Sequence, residues 1–179
     1  LNSYNCRLNW CFSLQVSIFA LSMKIVFLVI GKTSKLWIKE GIEVYLKRLK
    51  HYQDTTFCEL PDVKGGGNMS SELLKEAEAK VYHKFITSSD LVVLLDEKGR
   101  QYGSRGFAKQ LQKWRNSGPK RLVFVVGGAF GFASSMHSRA NAVLSMSTMT
   151  TSHELIRIVF LEQLYRAMTI LQGEQYHND

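Results

Sequence analysis

The sequence predicts an α/β fold, a single-domain α/β/α arrangement in which helices cover both faces of one parallel sheet. Three observations carry that expectation. The runs KIVFLVI (24–30), LVVLL (91–95) and RLVFVV (121–126) are apolar from end to end, as strands buried on both faces are. Between them the apolar residues recur at helical period. Glycine, proline or polar turns punctuate each change of pattern, and strands alternating with helices in this order build parallel βαβ units.

Each element follows from local pattern. KIVFLVI stops at Gly31. Residues 34–51 place Leu36, Ile38, Ile42, Tyr45, Leu46 and Leu49 on one face, with Lys and Glu opposite, which is an amphipathic helix. TTFCEL (55–60) is a second strand ended by Pro61, and PDVKGGGNM is a loop. Ser70 or Ser71 caps a helix that runs to Ile86. LVVLL is the third strand, closed by the polar turn DEKGRQYG, and 104–116 is a helix broken by GPK. RLVFVV is the fourth strand and GGAFG a glycine loop. A short helix over 132–140, a fifth strand AVLS (142–145), the loop STMTTS and a long helix over 153–171 complete the chain.

The 179 residues hold only two prolines, with no Gly/Ser-rich linker and no fixed-period repeat, so one domain is expected. The net charge of +8 favours a polyanionic partner, nucleic acid first. Of the three cysteines, Cys6 and Cys11 lie near the start and Cys58 in the body. Without a CxxC pair or a Cys/His ligand spacing, neither a disulfide framework nor a metal site is expected, which suits a reducing cytoplasm. Residues 1–22 read differently from the rest. Polar residues interrupt their apolar run, which is too short to span a bilayer. Because Met23 opens a strong strand, 1–22 is expected to be a spurious or disordered extension and 23–179 the domain.

Ligands of parallel sheets bind at loops beyond the strand C-termini, and three such loops carry unusual residues. In VFVVGGAFG, Gly127, Gly128 and Gly131 follow a buried strand, where a missing Cβ lets backbone approach a ligand. The spacing is GGxxG rather than GxGxxG, and no acid stands where a ribose partner would, so a nicotinamide site is disfavoured. LSMSTMTTSH crowds hydroxyls and thioethers between a strand and a helix, with Ser152 as candidate N-cap; such a loop can also line an adenine pocket. The final helix is apolar nearly all round, which predicts burial on more than one side and a subunit interface. His153 and Arg157 lie four apart on it, as do Glu162 and Arg166. Tyr176 and His177 in the tail EQYHND can stack on an unpaired base.

Taken in order, MKIVFLVIGK, LLDEKG, VGGAFG, LSMSTMTTSHELIR, EQLYRA and the final YH resemble the RlmH-type branch of the SPOUT methyltransferase superfamily, over essentially all of 23–179. The resemblance implies a SPOUT fold with a C-terminal trefoil knot and a homodimer without membrane attachment. It implies S-adenosylmethionine as methyl donor, with no metal, and N3 of a pseudouridine in 23S ribosomal RNA as acceptor, on the large subunit or whole ribosome. Carried over by position, it puts cofactor contacts at Leu95, Gly127, Gly128, Met146, Ser147, Thr148, Met149, Thr150 and Thr151. His153, Glu162 and Arg166 become the candidate catalytic residues, and Tyr165, Tyr176 and His177 candidate RNA contacts. Two positions depart from the family pattern. Ser152 stands where a Pro is usual before the His, and Asn178 and Asp179 follow the YH where a basic residue is common.

Overall fold

A computed structural model describes residues 23–176. The expected extension 1–22 and residues 177–179, His177 among them, lie outside those residues. Strands β1 (Lys24–Ile30), β2 (Thr55–Leu60), β3 (Leu91–Gln101), β4 (Arg121–Val126) and β5 (Ala142–Ser145) alternate with helices α1 (Leu36–Leu49), α2 (Ser71–Phe85), α3 (Ser104–Asn116), α4 (Ser134–Arg139) and α5 (Leu155–Gln172). The sheet order is β2-β1-β4-β3-β5, and every neighbouring pair is parallel.

The period of two along each strand divides the core. Ile25, Phe27 and Val29 of β1, with Leu122, Phe124 and Val126 of β4, join residues of α1, α3 and α5. Val26, Leu28 and Ile30, with Val123 and Val125, join residues of α2 and α4 on the other face. Crossovers that step one way along the sheet therefore use the first face, and those that step back use the second. All four share one hand, as a twisted sheet demands. Phe160 of α5 locks the first face, its ring centroid 4.7 Å from those of both Phe27 and Phe124.

Three boundaries differ from the sequence expectation. β3 does not end at Leu95 but runs on to Gln101. Leu144 of β5 pairs with both Leu95 and Arg100, so residues 96–99 bulge out between two stretches of ladder. Gly99 makes this possible, because a Cβ there would lie 2.6 Å from the Leu144 backbone. The fourth helix is shorter than expected, at Ser134–Arg139. The last begins at Leu155 rather than His153. Ser152 still caps its approach, its Oγ accepting from the Leu155 N–H at 3.2 Å.

Candidate functional site

The bulge of β3 and the loops after β4 and β5 meet around one cleft of about 640 Å³, a size suited to a cofactor-sized ligand. Leu95, Gly127, Gly128, Met146, Ser147, Met149, Thr150 and Thr151 line it, and so does His153. Thr148 is the exception among the expected cofactor residues. It is exposed and does not stand in the wall.

Sequence reasoning missed a further part of the lining. Asp96, Glu97 and Lys98 come from the β3 bulge, and Lys75 of α2, Phe130, Phe132, His137 and Ile156 complete the walls. LLDEKG read as a plain turn because a bulge returns to the ladder only when its partner strand is known. Gly99 was the one available signal.

The glycine loop is shaped by close approach. Gly128 and Gly131 form an antiparallel bridge, and Gly131 has φ +80°, which suits glycine alone. A Cβ on Gly127 would lie 3.1 Å from the Gly131 backbone. One on Gly128 would lie 2.3 Å from both carboxylate oxygens of Glu78 on α2. Burial, with Asp62 adding repulsion, raises the pKa of that Glu78 carboxyl above the usual range. The loop is thus pressed between α2 on one side and the cleft on the other.

The β5–α5 loop is held by its hydroxyls. Ser145 Oγ donates to the Ser147 carbonyl at 3.0 Å, and Ser147 Oγ accepts from the Met149 N–H at 2.9 Å. Thr150 Oγ1 reaches Glu97 Oε2 of the bulge at 3.4 Å. Leu95, Val126, Met146 and Ile156 give the cleft an apolar floor, and loop backbone and carboxylates give it a polar rim. That combination fits S-adenosylmethionine, whose adenine the apolar side chains could flank and whose hydroxyls the carboxylates of Asp96 or Glu97 could accept from. Gly127 and Gly128 let the loop pack against the Gly131 backbone and Glu78, where a side chain would not fit.

A buried arginine fixes where this loop ends. Arg157 is 1% exposed. Its Nε donates to the His153 carbonyl at 3.1 Å, Nη1 to the Gly31 carbonyl at 3.0 Å and to Thr33 Oγ1 at 2.8 Å, and Nη2 to the Ile30 carbonyl at 2.9 Å. Glu59 Oε1 stands 3.5 Å away as counter-charge. The guanidinium therefore ties the start of α5, with His153, to the C-terminal end of β1. The i,i+4 spacing of His153 and Arg157 was visible in sequence; the partners on β1 and β2 were not.

The remaining expected residues form a separate cluster. Arg166 Nη2 donates to Glu162 Oε1 at 2.6 Å, and the Tyr176 hydroxyl donates to the same oxygen at 3.2 Å. The Tyr165 and Tyr176 rings meet edge-on at 4.8 Å, and the Arg166 guanidinium lies 4.8 Å from the Tyr176 ring centroid. Burial, helped by hydrogen bonding to Tyr45 and by the charge of Glu162, raises the Tyr176 phenol to about 12. None of these four residues lines the cleft. Along α5, Glu162 and Arg166 lie about 13 to 20 Å beyond His153 at the rise of a helix. Within one chain, then, the residues expected at the cofactor, Thr148 apart, come together with His153, and the Glu162–Arg166 pair does not join them.

Comparison with known proteins agrees with this geometry. Residues 23–177 match the family described as "Predicted SPOUT methyltransferase". Over 157 residues the chain is 45% identical to the ribosomal RNA large subunit methyltransferase H of Parabacteroides distasonis, covering 88% of this chain and 100% of that protein. The protein of the same name from Porphyromonas gingivalis is also 45% identical over 157 residues, with the same coverage. That from Christiangramia forsetii is 43% identical over 156 residues, covering 87% of this chain and 99% of its own. The chain belongs to the SPOUT methyltransferase family.

Proposed function

We propose that this protein transfers the methyl group of S-adenosylmethionine to N3 of a pseudouridine in large-subunit ribosomal RNA. The observation that carries the reading is the single cleft formed by the β3 bulge and the two loops, glycine-walled on one side and Ser/Thr/Met-walled on the other. The names of the relatives point to the RNA, and the net charge of +8 suits it. The same reading carries the family's trefoil knot and a cytoplasmic site of action. Among the described residues no helix is long and apolar enough to cross a membrane.

Bound S-adenosylmethionine supplies an activated methyl, so the chain's own task is placement. The loop 146–151 and the glycine loop hold the cofactor, and Leu95 and Met146 exclude water from it. His153, at the cleft, is the candidate acceptor of the N3 proton. Arg166, oriented by Glu162, offers positive charge to the uracil ring as its nitrogen loses that proton.

For the last two to act, a second copy must bring them to the cleft, so we propose a homodimer. Trp37 and Val44 on α1, and Leu155 and Val159 on α5, are large apolar side chains left exposed on two helices that pack on the same sheet face. An antiparallel partner along α5 would cover such residues and bring the Glu162–Arg166–Tyr176 end of one chain toward the His153 end of the other. With so small a chain, the assembled large subunit rather than a short hairpin is the substrate.

Calorimetry with S-adenosylmethionine and single-turnover methylation of large ribosomal subunits test the reading together. The wild type binds and methylates, while His153→Ala, Glu162→Ala and Arg166→Ala keep cofactor affinity and each lose on the order of 10²-fold in rate. A wild type that does not bind the cofactor would reduce the protein to a non-catalytic RNA binder. A naked hairpin methylated equally well would remove the requirement for the assembled particle.

A further inference from the structure

The C-terminal turn of α1 has no part in the site described so far, yet it concentrates two kinds of group. Lys47, Arg48, Lys50 and His51 are all exposed, and in that stretch only Leu49 is buried. Basic residues at a helix C-terminus are favoured by the helix dipole, which accounts for charge but not for what stands beside it. Arg48 has its guanidinium carbon 5.6 Å from the ring centroids of both Tyr45 and Tyr165. Tyr45 and Tyr165 are 6.1 Å apart, and Tyr52 meets Tyr165 edge-on at 5.7 Å. With Tyr176 against Tyr165, four half-buried tyrosines run from α1 across α5 to the tail. Two carboxylates temper the charge: Glu162, held by Arg166, and Glu174, which accepts from the Tyr52 hydroxyl at 2.6 Å.

We propose that this turn of α1 is a second RNA contact, a single-stranded segment flanking the target nucleotide lying with its phosphate on Arg48 and a base against the tyrosine wall. The inference rests on the RNA-methylating reading and extends it to residues that reading does not use. Its chemistry is that of single-strand recognition. Exposed cations take the phosphates, and rings that stack on any base give affinity without demanding a sequence. Arg48, already lying against two rings, is preorganised, so less side-chain entropy is lost on binding. The cluster also continues directly from Arg166 and Tyr176, so a strand whose target base sits at that pair reaches Arg48 without leaving the surface.

The test uses full-length wild type, Arg48→Ala, Arg48→Lys and Tyr45→Leu. It measures binding to large ribosomal subunits across a salt series, methylation kinetics on the same particles, cofactor affinity and sedimentation. Arg48→Ala should weaken particle binding and raise KM about tenfold. It should also flatten the dependence of log affinity on log salt by about 0.7, the share of one phosphate contact on a single strand. Arg48→Lys should restore that slope but only part of the affinity, and Tyr45→Leu should lose affinity with the slope unchanged. The rate at saturation, cofactor affinity and oligomeric state stay as in wild type. Unchanged binding and slope in Arg48→Ala, while the wild type methylates, would overturn this contact alone. A shift in oligomeric state would make the turn a protein interface instead. A wild type that binds particles with the expected slope but transfers no methyl would sink the enzymatic reading and keep this one; a wild type that neither binds nor methylates would end both.

Discussion

The two ends of α5 are built on opposite principles. At its start, the cleft is made of backbone, glycines and short hydroxyl side chains, fixed from behind by the buried Arg157. At its end, rings and ion pairs lie half-open on the surface, with Tyr176 and Glu174 of the tail docked on them. A small invariant ligand can be met by a preformed cavity whose shape is set by what the side chains leave out. A large, mobile nucleic acid is met by side chains that reach outward and rearrange. The first end should therefore fail through shape and the second through individual contacts.

The largest effect is expected at Gly128. A Cβ there meets the carboxylate of the buried Glu78 at 2.3 Å, so Gly128→Val must turn that side chain out of its place or shift the loop. Because the other side of the loop is the cleft, cofactor affinity should fall a hundredfold or more, about 3 kcal/mol, as calorimetry would measure. Retained affinity would show that the loop yields and that the cleft is not shape-determined.

Arg157→Met comes next. It leaves the carbonyls of Ile30 and Gly31 without their arginine donor and the Glu59 carboxylate without its counter-charge, so denaturant unfolding should show a loss of about 2–4 kcal/mol. Under conditions where the variant is folded, cofactor affinity should fall as well, because His153 and its loop lose their anchor. Stability lost with affinity intact would separate Arg157 from the site.

Tyr176→Phe should matter least to the fold, about 1 kcal/mol, because it deletes only the partly exposed hydrogen bonding of the phenol with Glu162 and Tyr45. Its effect should appear in RNA methylation and not in cofactor binding. The same phenol provides a pH test. Its folded pKa is raised, to about 12, above the ordinary 10.0, so the docked state favours the protonated form. That contribution is fully present below pH 10 and lost as pH rises from 10 toward 12. Phenolate absorbance compared between wild type and Tyr176→Phe should show the late-titrating group. If no such group appears, the tail is not docked in solution.

Much of the fold was legible in the residues. Apolar and β-branched runs between turn residues specify strands, and four of the five expected spans, all but the third, match the observed ones. The third shows why pattern alone is insufficient. Nothing in DEKGRQ is apolar, so only the ladder with Leu144 could reveal that β3 resumes beyond its bulge, and the cleft residues Asp96 to Lys98 were hidden with it. The two loops that meet at the cleft after β4 and β5 were legible for a different reason, since glycines and hydroxyl residues crowd after buried strands there. Thr148 lies in the same loop and does not line the cleft.

By itself the sequence determined the elements, the direction of the sheet, the basic character and which loops carry the glycines and hydroxyl residues that meet at the cleft. These follow from local periodicity and from the steric permissiveness of particular residues, which neighbours along the chain suffice to express. The tertiary structure alone decided that His153 stands at the cleft while Glu162 and Arg166 stand apart from it, that Arg157 is pinned to β1, and that the end of α1 joins Tyr165 of α5. Those relations depend on how the crossovers stack helices from distant parts of the chain onto one face of the sheet, and periodicity carries no information about that distance.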